Sequence, residues 1–151
     1  MKLEINRNAI VEICGALLII LFGYTALDKF YNHHIFQITL TKSPIIHSIA
    51  PLISWVIPAV ELLIVAGLFF QRTKQLAFYA SFFLLVLFTT YIAYMVKFVP
   101  NLPCSCGGVI AKLSWGQHIF FNCFFILVSL TPIVIHVLSE QKRNYKTASL
   151  T

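Results

Sequence analysis

Charged residues are scarce in this chain. Of its 151 residues 11% are charged, with five acidic residues in all, whereas 59% are hydrophobic. The apolar share exceeds that of an ordinary soluble domain, so water is not the main solvent of this protein. No internal repeat and no Gly- or Ser-rich linker divides the sequence, which indicates one domain over residues 1–151. The net charge of +6 is scattered over short connections without a basic recognition helix, which argues against a nucleic-acid partner.

The shortage of polar residues leaves four long apolar runs, over residues 9–27, 46–70, 76–96 and 115–138. The shortest has 19 residues, and a helix of that length, rising about 1.5 Å per residue, spans roughly the hydrocarbon thickness of a bilayer. A buried core helix is the alternative for any single run, but four of them leave too little polar sequence to cover them. We therefore predict an all-α integral membrane four-helix bundle, followed by a basic tail over residues 139–151.

The basic residues are divided unevenly between the two sides of this bundle. Seven lie at the termini and in the connection between the second and third runs, and four lie in the other two connections. The positive-inside rule then predicts that both termini are cytoplasmic and that the connection between the third and fourth runs is extracytoplasmic. No small-x-small cleavage motif follows the first run, so we expect an uncleaved helix there rather than a signal peptide. The first outer connection, residues 28–45, mixes apolar and polar residues, which is typical of a segment on the membrane surface.

Two of the four cysteines stand one residue apart in a polar connection. Cys104 and Cys106 belong to the sequence PCSCGG, in which a proline and two glycines favour a turn. A turn brings two alpha carbons close enough for a disulfide, and a strained, exposed disulfide exchanges readily. Three hypotheses stay open: a redox pair, a bridge that rigidifies the loop, and a metal site with His118 as a third ligand. The chain lacks the Cys-x-x-Cys spacing and fourth ligand of a structural zinc site.

The other two cysteines lie inside apolar runs. Cys14 and Cys123 differ in depth by on the order of 10 Å at the rise of a helix, which is too far for a direct bridge. We expect both to be small buried residues. For Cys123 the alternative is a thiol that relays electrons from the loop toward the membrane.

Glu61 lies near the middle of the second run, three residues after Pro58. A carboxylate in hydrocarbon is costly, so it should face the bundle interior, with Tyr24, Thr25 or backbone groups freed by Pro58 as partners. The functional hypothesis is a proton or quinone site, and the alternative is a structural hydrogen bond between helices.

His118 and Asn122 stand four residues apart and therefore share a face of the fourth helix, just below the cysteine connection. An imidazole there would stabilise a nearby thiolate and help it to leave. The alternative is an interfacial histidine in contact with lipid headgroups.

Three stretches resemble the MauE and DoxX-like family of bacterial four-helix membrane proteins: GYTALDKF, WVIPAVELLIVAGLFF, and PCSCGG followed by LSWGQHIFFN. The resemblance extends from Gly23 to about Leu130. The family has a Pro-x-x-Glu-Leu stretch that ends in Gly-Leu, a Cys-x-Cys before helix four and an Asn within that helix. The matching residues here are Pro58, Glu61, Leu62, Gly67, Leu68, Cys104, Cys106 and Asn122.

The resemblance implies a multi-pass protein of the bacterial inner membrane that acts in periplasmic thiol chemistry, of the kind associated with methylamine dehydrogenase maturation. On this basis we assign thiol:disulfide exchange to Cys104 and Cys106, tuned by His118. Glu61, with Asn122, is assigned to a proton or quinone site. The expected partner is a periplasmic thioredoxin-like protein or a disulfide-rich substrate. The alternatives are a non-enzymatic assembly subunit of an envelope complex and a conduit for a metal or small solute.

Overall fold

The protein is built from five helices and one short 3-10 turn within the residues that the structure, a computed structural model, describes: 2–43, 46–98 and 115–148. The helices are α1 (Lys2–Tyr31), α2 (His33–Thr41), α3 (Ala50–Phe69), α4 (Lys74–Phe98) and α5 (Trp115–Ala148), and the turn (His47–Ile49) precedes α3. All except α2 are long and apolar enough to cross a membrane. The predicted all-α membrane bundle of four spanning helices is thus confirmed. The predicted outer loop falls on residues 99–114, which lie outside the described residues.

Three of the four spanning helices are longer than the apolar runs that predicted them, whereas α3 lies within its run, 46–70. The first helix begins at Lys2 and ends at Tyr31, beyond the run at both ends, and α5 continues to Ala148 through most of the predicted tail. No proline or glycine follows Pro132 in the sequence, so no residue after Pro132 interrupts the backbone hydrogen bonding of α5. Arg143 also pairs with Glu140 one turn earlier on the exposed surface of this extension. Apolar runs therefore locate the membrane-spanning part of a helix better than its ends.

The connection predicted to lie on the membrane surface contains the short helix α2. Asn32 separates it from α1, and the Asn32 Nδ2 donates to Asp28 Oδ1 at 3.0 Å. Phe36 and Leu40 on α2 are buried against Ala50 of α3. A nine-residue helix is marginal by itself, so this packing is what stabilises it.

A second contact fixes the start of α2 to α3. His33 Nε2 lies 3.0 Å from Ser54 Oγ. The His33 ring also stacks on Trp55, with the centroids 4.2 Å apart. The helix α2 is therefore held on α3 by both its first residue and its buried face.

The four spanning helices are arranged in a ring in the order α1, α3, α4, α5, with α5 packing back on α1. The half of the ring nearer the chain termini is filled by apolar side chains. Leu18 and Phe22 of α1, Leu68 of α3 and Phe78 of α4 are almost completely buried there, joined by Ile133 of α5. This half is a packed core, which leaves the opposite half as the place for a cavity.

The turn between α3 and α4 brings these helices close together. Thr73 Oγ1 donates to the Gly67 carbonyl oxygen at 2.9 Å and so satisfies a group at the end of α3. A Cβ atom at Gly67 would lie 3.1 Å from the Cβ atom of Ala77 on α4, which is tighter than ordinary packing. A small residue is therefore required at Gly67, as at other close helix contacts in membranes.

Polar contacts also join the helices at the end of the bundle that carries the termini. Lys74 Nζ lies 2.6 Å from Glu12 Oε1, with the Glu12 side chain 60% exposed. Arg7 Nη2 donates to the Ile135 carbonyl oxygen at 2.9 Å and to Ser139 Oγ. These contacts link α1 to α4 and α5.

Candidate functional site

A cavity of about 600 Å³ lies in the half of the bundle opposite the chain termini. Residues from all five helices line it, and most of them are apolar. The polar residues around it come from different helices and include Thr25, Lys29, Glu61, Tyr91, His118 and Asn122. An apolar cavity with a few converging polar groups has the composition of a small-molecule binding site.

The central feature of the cavity is a buried ion pair between α1 and α3. Lys29 Nζ lies 2.6 Å from Glu61 Oε1, and the two side chains are only 8% and 1% exposed. The ammonium group also lies 5.8 Å from the centre of the Phe36 ring and 5.5 Å from that of Phe88. Both distances are within the range of a cation–π interaction. Lys29 on α1 therefore contacts α2, α3 and α4.

The second carboxylate oxygen of Glu61 has no hydrogen-bond partner among the residues that the structure describes. Glu61 Oε2 is buried and accepts no hydrogen bond from the residues that the structure describes. Thr25 lies beside the carboxylate, and its hydroxyl donates to the Phe22 carbonyl oxygen at 3.3 Å. A buried, unpaired carboxylate oxygen is costly and is usually satisfied by a water or a ligand.

The prediction that Glu61 faces the bundle interior agrees with its burial, and Thr25, one of the expected partners, lies beside its carboxylate. The ionic partner of Glu61 was not among those expected. Tyr24 is 42% exposed, and the carboxylate pairs with Lys29 instead. The spacing of the inward residues of α1 is a signal for this. Leu18, Phe22 and Thr25 are buried at steps of three and four, and Lys29 continues the series.

His118 and Asn122 both face inward on α5, as their spacing predicted. Their side chains are 6% and 7% exposed, and both line the same cavity as Glu61. The structure thus brings three of the five predicted site residues together. The other two, Cys104 and Cys106, lie outside the described residues. The helices that border their connection, α4 and α5, meet it at Phe98 and Trp115, at the end of the bundle that contains the cavity.

The two remaining cysteines have different environments. Cys14 is buried in the apolar core, as predicted. Cys123 is exposed on α5, so the prediction that it is buried is wrong. The following turn of α5 is exposed on the same side at Leu127, whereas Asn122 turns inward. An apolar helix in lipid carries hydrophobic residues on every side, so composition does not distinguish its inner from its outer face.

The polar groups of the cavity are suited to hydrogen bonding and proton transfer more than to metal binding. Within residues 2–43, 46–98 and 115–148, no three His, Cys, Asp or Glu side chains are grouped as metal ligands would be. The Lys29 ammonium is a donor, the Glu61 carboxylate is an acceptor, and Asn122 carries both functions. The cavity can therefore hold a polar headgroup or pass a proton at the Glu61 carboxylate.

These features define a class: a multi-pass α-helical membrane protein with an internal polar site. A family model described as methylamine utilisation protein MauE matches residues 7–135. This match covers most of the sequence, and the chain belongs to the MauE family. The resemblance to MauE inferred from the sequence is thereby confirmed. No curated protein and no solved structure was found to match the chain at a significant level.

Proposed function

We propose that this MauE-family membrane protein catalyses thiol:disulfide exchange at the outer face of the bacterial inner membrane, in support of disulfide formation or maturation of periplasmic proteins. Membership of the family supports a membrane protein in methylamine utilisation. The observation that carries the proposal is the convergence of Lys29, Glu61, His118 and Asn122 at one end of the bundle. The connection that leaves this end contains both cysteines of the Cys-x-Cys motif.

The exchange proceeds through a mixed disulfide. A thiolate of the partner attacks one sulfur of a Cys104–Cys106 disulfide, breaks the sulfur–sulfur bond and forms a bond to that sulfur. The second thiolate of the partner then attacks the partner's own sulfur in the mixed disulfide. The partner leaves oxidised and the loop is reduced, so two electrons have passed to the loop. The two protons on the loop thiols replace those lost by the partner thiols.

His118 and Glu61 assist this exchange as proton-handling groups in the proposal. His118 lies in the first turn of α5, close in sequence to the cysteine connection, and its imidazole would stabilise the leaving thiolate. Glu61 lies deeper along the bundle, where its carboxylate would accept or hold a proton. Both groups line one cavity.

The partner in this proposal is a periplasmic thioredoxin-like protein or a disulfide-rich substrate. Its thiols can meet the loop only outside the cytoplasm, where disulfides persist. This requires both termini to be cytoplasmic, an orientation favoured by the seven basic residues on that side of the chain.

Trapping of the mixed disulfide tests the proposal. Cys104→Ser and Cys106→Ser are introduced separately into the full-length protein in its native membrane. We expect one of the two variants to accumulate a reductant-sensitive adduct with an envelope protein. The remaining loop thiolate attacks the disulfide of an oxidised partner, in the reverse direction of the exchange, and the second loop thiol that would release the partner from this mixed disulfide is missing. Cys123→Ser is the matched control, since Cys123 is an exposed cysteine of α5 outside the motif, and it should behave as the wild type.

A double variant separates exchange from assembly. Cys104→Ser/Cys106→Ser should form no adduct and should fail to support disulfide formation in the partner. Full support by the double variant would contradict thiol exchange and favour the non-enzymatic assembly role.

A further inference from the structure

We propose that the cavity around the Lys29–Glu61 pair binds a membrane-soluble para-quinone or its hydroquinone, with the ring inside the bundle and the apolar tail directed to the lipid. The inference concerns a ligand site and goes beyond the thiol chemistry of the proposed function. It rests on three properties of the cavity: where it opens, which polar groups lie within it, and the shape of its walls.

The cavity opens on the flank of α4, in the apolar part of the bundle. Four residues that line it, Phe83, Val86, Leu87 and Thr90, are also exposed on the outside of that helix. They lie well inside the candidate membrane span Lys74–Phe98. A mouth at this depth faces hydrocarbon and therefore admits a ligand that is soluble in the membrane.

The polar groups inside require both a donor and an acceptor from the ligand. Glu61 Oε2 is buried, and none of the described residues donates a hydrogen bond to it. Lys29 has three ammonium protons and places Nζ 2.6 Å from Glu61 Oε1. A hydroquinone hydroxyl donates to Glu61 Oε2, and a quinone oxygen accepts from the Lys29 ammonium. Either contact offsets part of the cost of burying these groups.

Polar groups on a second wall favour a ligand with two separated oxygens. Asn122 and His118 are buried on α5, whereas Lys29 and Glu61 belong to α1 and α3. A ring with oxygens at opposite positions can address both walls at once. A fatty alcohol or a single carboxylate has one polar end and can contact the polar groups of only one wall.

The remaining walls suit a flat ring. Phe36, Phe88, Phe121 and Tyr91 all line the cavity. Aromatic rings stack on or pack edge-to-face with a planar ligand. One water would satisfy Glu61 Oε2 but occupies only about 30 Å³, a small part of the cavity volume of about 600 Å³.

A quinone would also accept the electrons that are released when the Cys104–Cys106 disulfide is formed again. Formation of the Cys104–Cys106 disulfide from two thiols releases two electrons and two protons, and these convert one quinone into one hydroquinone. This consequence rests on the proposed function, whereas binding of the ligand does not.

The test measures binding of a decyl-substituted benzoquinone and its hydroquinone to the full-length protein in quinone-free phospholipid nanodiscs. The readout is the rise in unfolding temperature with ligand concentration, since a ligand of the native state stabilises it. Thr90→Trp places a bulky side chain at the mouth on α4. The matched control is Thr131→Trp, because Thr131 is likewise an exposed threonine whose hydroxyl bonds the carbonyl oxygen four residues earlier, but it does not line the cavity.

We expect saturable stabilisation of the wild type, weakened roughly tenfold or more in apparent affinity by Thr90→Trp and changed by less than about twofold by Thr131→Trp. Glu61→Gln should weaken hydroquinone binding more than quinone binding, because it removes the charged acceptor. Absence of saturable stabilisation in the wild type, or equal losses in both tryptophan variants, would overturn the proposal.

A second measurement does not depend on how well the variants fold. A hydroquinone with a photoreactive group on its tail should label the wild type on α4 between Phe83 and Thr90, and labelling confined to other helices would overturn the proposed entry route. Both experiments are repeated with Cys104→Ser/Cys106→Ser. Retained binding there, together with lost exchange, separates the ligand site from the thiol chemistry.

Discussion

Lys29 Nζ on α1 lies 2.6 Å from Glu61 Oε1 on α3. The pair lies inside the bundle, in a cavity whose lining is mostly apolar. Each charge alone would be costly in such a place, and each compensates the other. The pair therefore fixes two helices to each other and also supplies polar groups deep within the membrane part of the protein. Among the described residues, no group donates a hydrogen bond to the second carboxylate oxygen of Glu61.

Replacement of Glu61 by alanine should destabilise the protein strongly. The change leaves the Lys29 ammonium buried without its counter-ion, for which a loss of about 3–5 kcal/mol in the free energy of unfolding is typical. Glu140→Ala is the matched control, since it removes the carboxylate that pairs with Arg143 on α5, where both side chains are exposed. We expect at most about 1 kcal/mol there. Thermal unfolding of purified protein measures both, and equal losses would contradict the importance of burial.

Removal of both charges should cost less than removal of one. Lys29→Met alone leaves the Glu61 carboxylate unpaired, whereas Lys29→Met/Glu61→Leu leaves no buried charge. We expect the double variant to be more stable than either single variant, a non-additivity typical of groups in contact. The same unfolding assay measures it. A double variant as unstable as the sum of the single losses would mean that the two residues act independently.

Gly67 should tolerate no branched side chain. Gly67→Val adds atoms beyond a Cβ position that already lies 3.1 Å from the Ala77 Cβ atom, so α3 and α4 must separate. Overpacking of this kind costs typically about 1–3 kcal/mol. Gly23→Val is the control, because a Cβ atom at Gly23 has no neighbour within 4 Å. Comparable stability of the two variants would show that the helix contact at Gly67 is looser than described.

The two cysteines inside the apolar runs differ in exposure, and this difference predicts selective labelling of one of them. In the Cys104→Ser/Cys106→Ser background, a lipophilic maleimide should modify Cys123, which is exposed, and leave Cys14, which is buried. Mass spectrometry of the folded protein in detergent identifies the modified residue, and labelling after denaturation is the control for total thiol. Preferential modification of Cys14 would contradict the assigned faces of α1 and α5.

The bundle and part of the site followed from the sequence because membrane physics restricts both. The length of the apolar runs requires helices, and a carboxylate within one of them, Glu61, has to face inward. The four-residue spacing of His118 and Asn122 placed them on one face of their helix. That they line the same cavity as Glu61 depends on tertiary packing, which local sequence patterns do not predict.

Three features were not predicted by these arguments: the pairing of Lys29 with Glu61, the helix α2 and the exposure of Cys123. Lys29 follows the end of the first apolar run, so it was counted as a residue of the outer connection, although its spacing from Thr25 continues the buried face. The helix α2 depends on burial of Phe36 and Leu40 against α3, which is a long-range contact. Cys123 belongs to a helix that is apolar all round, where hydrophobic periodicity carries little information.

The central claim is that Cys104 and Cys106 exchange a disulfide outside the cytoplasm, and differential alkylation of intact cells tests it most directly. A membrane-impermeant maleimide is applied before and after a mild, impermeant reductant, in a Cys14→Ser/Cys123→Ser background that leaves only the motif thiols. We predict little labelling before reduction and labelling of both cysteines after it. Full labelling before reduction, or no labelling until the membrane is permeabilised, would contradict the account.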